Sequence, residues 1–200
     1  MLPTKLSFVD IETTGFSAFS DRIIEISVLR VENNKLVREY STLVNPETRL
    51  DPFIENYTRI TPAELEKAPL FYEVADELLN YLAESIFVAH NVLFDYGFIR
   101  NEFARTGMRY SSNHLCTVKL ARLLYPGHRK YNLDSIIDRH KIKIGRRHRA
   151  YDDARVIWEF YRKSIQTIDS EKFNKALNIV LKKPTKHMYE ISQRLSVPKY

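Results

Sequence analysis

The sequence predicts an α/β fold in which helices cover both faces of a single sheet. Two observations carry this prediction. Residues 22–31 and 36–44 form two apolar runs on either side of Glu32, Asn33, Asn34 and Lys35, which reads as an antiparallel hairpin. Behind the hairpin, short apolar runs alternate with segments of helical periodicity, the pattern of a sheet layered with helices.

The elements follow in order. Residues 6–12 read as a strand that breaks at Thr13, Thr14 and Gly15, where glycine permits a turn, so three antiparallel strands come first. Residues 62–65 make a short helical turn, and residues 71–82 space Val74, Ala75, Leu78, Leu79 and Leu82 as one helix face. Residues 86–89 are a short buried strand. Residues 94–106 repeat Phe94, Phe98, Ile99 and Phe103 at helical spacing and stop at Gly107, a good residue just past a helix end. Helices are expected over 115–124, ended by Pro126 and Gly127, over 133–140, and over 151–163 with Val156, Ile157, Phe160 and Tyr161 inward. Ser170 caps a further helix striped with Phe173, Ala176, Leu177, Val180 and Leu181, and Pro184 ends it. The expected division is a domain over 1–165, then a helix and basic tail over 166–200 that serves as linker, partner-binding segment or truncated continuation.

Composition narrows the function classes. A chain of 200 residues with 44% hydrophobic and 28% charged residues matches one globular domain. Its one cysteine, Cys116, supports neither an internal disulfide nor a thiolate metal site. No apolar stretch is long enough to span a bilayer and no apolar leader precedes the first strand, so a cytoplasmic chain without a membrane partner is expected. The net charge of +6 fits a polyanionic partner and fits plain solubility as well. More telling is its placement: Arg139, His140, Lys141, Lys143, Arg146, Arg147, His148 and Arg149 crowd one segment. Such a run is either a solvated helix end and loop or a surface for strand phosphates, Arg146 and Arg147 among them.

Four acidic residues and one histidine carry the candidate chemistry. Asp10 and Glu12 stand two apart on a strand and so point the same way, either as an exposed acidic strand end or as a pair bridged by a divalent cation. Oxygen ligands favour the hard ions Mg²⁺ or Mn²⁺ over Zn²⁺. Asp95 and Asp153 each lie in a first helical turn, where a carboxylate suits the helix dipole whether it caps the helix or holds a metal. His148 sits five residues before Asp153, in a stretch too polar for core. There it is either an idle exposed side chain or an imidazole placed to take a proton from water. Phe16, Phe19, Tyr57 and Tyr131 are loop aromatics on which unpaired bases could stack.

Three ordered blocks resemble the exonuclease motifs of the DEDDh family, which includes the proofreading epsilon subunit of bacterial DNA polymerase III. They are Phe8 to Gly15, then Ala89, His90 and Asn91 with Phe94, Asp95 and Phe98, then His148, Arg149 and Ala150 with Asp153 and Ala154. Between them, Ile60 and Thr61, Ala68 and Pro69 with Phe71 and Val74, Cys116 and Thr117 with Leu120 and Ala121, and Asn132 and Leu133 resemble the family's connecting pattern. The resemblance covers residues 6–163. It implies a ribonuclease H-like fold with a mixed five-stranded sheet, and two-metal hydrolysis of terminal phosphodiesters to nucleoside 5′-monophosphates.

In that reading Asp10, Glu12, Asp95 and Asp153 hold two divalent ions, Mg²⁺ or Mn²⁺. Asp10 bridges both, Glu12 and Asp153 complete one shell, and Asp95 acts on the other largely through water. His148 is the base, and His90 and Asn91 support the ligands from behind. Thr13, Thr14, Ile60 and Phe98 hold the terminal nucleotide. The chain departs from the pattern where Thr58 and Arg59 replace His-Gly and where Cys116 replaces a common Asp. Three functions stay open: a proofreading or repair exonuclease on single-stranded DNA, an exoribonuclease that trims RNA, and a non-catalytic nucleic-acid-binding module. The tail could attach a polymerase subunit or lead into a second domain.

Overall fold

Side chains along β1 (Lys5–Thr13) alternate between two apolar layers, and this alternation sets the architecture. Leu6 and Phe8 join one buried cluster, and Val9 and Ile11 join the other. The computed structural model describes residues 2–181. The strands are β1, β2 (Ile23–Glu32), β3 (Lys35–Leu43), β4 (Ile86–Ala89) and β5 (His114–Cys116). They form a mixed sheet in the order β3-β2-β1-β4-β5. Antiparallel pairing joins β1 to β2 and β2 to β3, while β4 pairs parallel with both β1 and β5. The three antiparallel strands and the Asn33–Asn34 turn stand where the sequence places them, both asparagines taking positive φ.

The helices are α1 (Pro52–Thr58), α2 (Pro62–Leu65), α3 (Phe71–Leu82), α4 (Leu93–Arg105), α5 (Thr117–Leu124), α6 (Leu133–His140), α7 (Ala150–Thr167) and α8 (Ser170–Leu181). One sheet face is covered by α3 and α4, where Phe71 meets Phe103 at 5.4 Å edge to face. The other is covered by α5 to α8, where Phe8 packs between Trp158 at 5.1 Å and Tyr161 at 5.4 Å.

Several expectations are corrected. The run at 115–124 is not all helix, because Leu115 and Cys116 pair with Val88 and Ala89 as β5 before the helix starts at Thr117. A strand of three residues is too short to show a period of its own. Helix α1 was not expected, although Asp51 caps it by accepting from Phe53 N–H at 2.7 Å and Pro52 follows at the first helical position. Gly15 turns without a positive φ; it is needed because a Cβ there would sit 2.5 Å from the Asp21 carboxylate. Helix α7 runs to Thr167, and α8 buries Phe173, Ala176 and Leu177 in the same core as α7. Pro184 and the basic tail lie outside the described residues. No described helix is long and apolar enough to cross a membrane.

Candidate active site

At the C-terminal end of β1 the apolar face that carries Leu6 and Phe8 continues as Asp10 and Glu12. The β1–β2 register shifts between Glu12 and Thr13, and this bulge ends the strand beside the two carboxylates. Asp95 arrives from the first turn of α4, and Asp153 from the first turn of α7. Three separate elements thus bring four acids to one place, which a local sequence pattern cannot enforce.

Their charges act on one another. Burial pushes the Asp10 carboxyl well above the usual range, and Asp95, Asp153 and Glu12 push it further, with Arg147 opposing. Burial and then Asp153 and Glu25 push Glu12 up to about 8. Burial also raises Asp95 to about 8, against backbone hydrogen bonds from its own N–H and that of Ile11. Asp153 is raised by burial and held down in part by Arg147 and His148. One ligand atom each of Glu12, His148 and Asp153 lies within 4.8 Å of the others. Asp153 Oδ1 is buried without a partner among the described residues, while Oδ2 accepts from Arg147 and from the His148 N–H at 3.3 Å. Mutually repelling carboxylates and a buried oxygen with no donor fit a hard cation, which would satisfy both at once.

His148 takes a left-handed backbone, φ 60°, just before α7 begins. Burial and the neighbouring Arg147 lower its proton affinity, with Asp153 and Asp134 opposing. The next residue, Arg149, grips Glu25 at 2.7 Å, and Ala150 N–H donates to the same carboxylate at 2.9 Å, which ties the start of α7 to β2. His90 is half-buried between Tyr131 and α5. Its Nε2 donates to the Tyr131 carbonyl at 2.8 Å and its Nδ1 lies 3.0 Å from the Thr117 hydroxyl.

The residues expected to touch substrate fall into two groups. Thr13 and Thr14 flank the site: Thr13 Oγ1 donates to the Gly15 carbonyl at 2.6 Å and Thr14 Oγ1 accepts from Arg22 N–H at 3.0 Å. Ile60 and Phe98 are core side chains, Ile60 with Ile24, Ile54 and Leu65, and Phe98 against Phe94 at 4.9 Å. The basic cluster is dispersed. Arg147 pairs with Asp153 and Asp134, Arg149 pairs with Glu25, and Arg139 donates to the Lys130 carbonyl, leaving Lys141, Lys143 and Arg146 exposed. Arg59 takes φ 58°, which glycine would adopt without strain. Of the expected aromatics, Phe16 and Phe19 are 82% and 90% exposed, Tyr131 is fastened by its hydroxyl to the Tyr125 carbonyl, and Tyr57 lies on α1 rather than a loop.

A family model described as Exonuclease matches residues 7–161. The chain belongs to this exonuclease family. It is 35% identical over 159 residues to the DNA polymerase III PolC-type of Caldanaerobacter subterraneus subsp. tengcongensis, covering 80% of this chain and 11% of that protein. It is 31% identical over 193 residues to the 3′-5′ exonuclease DinG of Staphylococcus aureus strain MRSA252, covering 96% and 20%. The chain thus spans between a tenth and a fifth of these relatives. Among solved structures, exonuclease X in complex with 5′ overhanging duplex DNA aligns with TM-score 0.67 at 26% identity, covering 86% of this chain and 99% of that one. Exonuclease I aligns with TM-score 0.77 at 17% identity, covering 86% and 43%, a likeness of fold. The ribonuclease H-like α/β fold implied by the motifs is the fold of this exonuclease chain.

Proposed function

We propose that this exonuclease domain removes nucleotides from the 3′ end of single-stranded DNA in a metal-dependent reaction that releases nucleoside 5′-monophosphates. The observation that carries the reading is the meeting of Asp10, Glu12, Asp95 and Asp153, all with raised proton affinity, beside His148, whose proton affinity is lowered. We assign the four carboxylates as the residues that would hold two divalent ions, Mg²⁺ or Mn²⁺. Bound there, such ions would stabilise the charge on the attacking and leaving oxygens of an in-line displacement. The remaining work belongs to the chain. His148 accepts the proton of the attacking water through an imidazole nitrogen near Glu12 and Asp153. Thr13 and Thr14 receive the terminal nucleotide at the bulged end of β1, Ile60 and Phe98 shape that surface from beneath, and Arg146 faces the strand's phosphates, while Arg147 is held by Asp153 and Asp134.

DNA is favoured over RNA by the polymerase relative and by the DNA complex of exonuclease X. We place the chain in proofreading or repair, beside a polymerase or a further domain, as the polymerase relative suggests. The lone cysteine suits a reducing cytoplasm.

The test is cleavage of matched 5′-labelled single-stranded DNA and RNA with Mg²⁺, Mn²⁺ or EDTA. Wild type should give a metal-dependent ladder shortening from the 3′ end, strongest on DNA and absent in Asp10→Ala. His148→Ala should bind the strand normally and hydrolyse it roughly 10²–10⁴ fold more slowly. Stronger cleavage of RNA would select the RNA-trimming reading, and binding without cleavage the non-catalytic one.

A further inference from the structure

The His148 backbone is anchored through its N–H to Asp153, yet no side-chain hydrogen bond holds its imidazole among the described residues. What the ring touches is Tyr57, whose centroid lies 3.9 Å away with the planes inclined by 37°. Tyr57 in turn is backed by Phe53, stacked at 5.9 Å and 16°. The three rings form a column that runs from the surface of α1 to the edge of the carboxylate site.

Helix α1 is a firm base for this column. Ile54 and Thr58 are buried on its inner side, Ile54 docks on Ile24 of β2, and the Thr58 hydroxyl donates to the Ile54 carbonyl at 2.9 Å. The outer side carries Phe53 and Tyr57, which remain 63% and 49% exposed. Rings so open to water contribute little to core stability, and exposing them has a solvation cost that the fold has not relieved by burying them. An imidazole on a left-handed residue between helix and loop would otherwise sample several rotamers, and a base must stay within hydrogen-bond reach of the proton it takes. A fixed aromatic face removes that freedom without adding a competing donor or acceptor.

We propose that Tyr57, backed by Phe53, is a positioning residue that orients the His148 imidazole for proton transfer, through its ring face and not its hydroxyl. This rests on the assignment of His148 as the base.

The experiment is a double-mutant cycle in the full chain, with kcat and KM measured on single-stranded DNA in Mg²⁺. Tyr57→Ala should lower kcat by about 10- to 100-fold, the scale of an ångström-level misplacement, and leave KM within about threefold. Tyr57→Phe should restore kcat. In a His148→Ala background the further change Tyr57→Ala should have almost no effect, because a residue that acts through the imidazole has nothing left to act on. If kcat is unchanged in Tyr57→Ala, if the loss falls on KM alone, or if the full loss persists in the His148→Ala background, the proposal is overturned. Should Tyr57→Ala melt early, Tyr57→Leu keeps the bulk without the aromatic face and carries the same expectations. A separate readout needs no cleavage. The His148 ring proton resonances, shifted by the Tyr57 ring current in wild type, should move in Tyr57→Leu and stay in Tyr57→Phe, and resonances identical in all three overturn the stacking. An inactive wild type that passes the resonance test refutes the base assignment and leaves the Tyr57–His148 contact standing.

Discussion

Glu12 and Glu25 face each other across β1 and β2, one in the carboxylate site and the other closed off by Arg149. Like charges in register would destabilise the pair of strands. Glu25 offsets part of this by taking both the Arg149 guanidinium and the Ala150 N–H, so that it also serves as a cap on α7 from a neighbouring strand, and what repulsion remains raises Glu12. Replacing Glu25 by Ala leaves a partly buried guanidinium without its partner and should cost about 2–4 kcal/mol, less than a fully buried pair because Arg149 reaches water. Chemical denaturation checks this, and cleavage should fall as well because α7 carries Asp153.

The carboxylate site sets a pH and metal dependence of stability. Glu12 and Asp95 have folded values near 8 against ordinary values of 4.5 and 3.8. Their folded values are raised, so their contribution is fully present below the unfolded values and is lost as pH rises through about 8. In EDTA these groups should therefore lower stability progressively between pH 4.5 and 8. Divalent ions compete with those protons, so Mg²⁺ or Mn²⁺ should raise Tm more at pH 8.5 than at 5.5, and at a hundred times the Kd that holds at a given pH each bound ion adds about 2.7 kcal/mol of stability. Asp10→Asn should raise Tm in EDTA and shrink the metal-induced shift; a full shift in that variant would remove Asp10 from the metal set.

His90 acts in the opposite sense. Burial lowers it to about 4 from 6.5, with the Tyr131 carbonyl opposing and Arg147 adding to the fall. Its folded value is depressed, so the unfolded chain takes up the proton first and stability is lost as pH falls from 6.5 towards 4. At pH 5 the loss is about 2 kcal/mol. The difference in unfolding free energy between wild type and His90→Gln should shrink by that amount between pH 7.5 and 5, and a constant difference would mean that His90 does not titrate there.

The β1–β2 loop is fastened by Glu102, which is buried on α4 and accepts from Arg22 Nε at 2.9 Å and Ile23 N–H at 3.3 Å. Arg105, also paired to Glu102, donates to the Phe19 carbonyl at 2.7 Å. Glu102→Ala should destabilise the chain by about 2 kcal/mol, since it leaves the buried Ile23 N–H without an acceptor while Arg22 keeps Glu47 and Arg105 keeps the Phe19 carbonyl. It should also open the loop at Phe16 and Phe19 to chymotrypsin before global unfolding, which limited proteolysis under native conditions detects.

The sequence by itself determined the local order of this protein. Apolar runs bounded by polar turns placed β1 to β4, and period-3.6 patterns placed α3 and α6, to within a residue or so, because burial leaves its mark on neighbouring residues in the chain. The spacing of Asp10 and Glu12 gave their common direction for the same reason. Other features carried no such trace. β5 is three residues long and is a strand only because β4 offers it a free edge. The dispersal of the basic cluster was decided by partners distant in sequence: Glu25 lies across the sheet from Arg149, and Asp134 reaches Arg147 from α6. The Tyr57–His148 contact joins α1 to the turn before α7, ninety-one residues on. Pairings of that kind depend on how layers stack, which no window of sequence contains. The tertiary structure alone therefore decided which charges are spent within the fold and which aromatic ring stands over the imidazole.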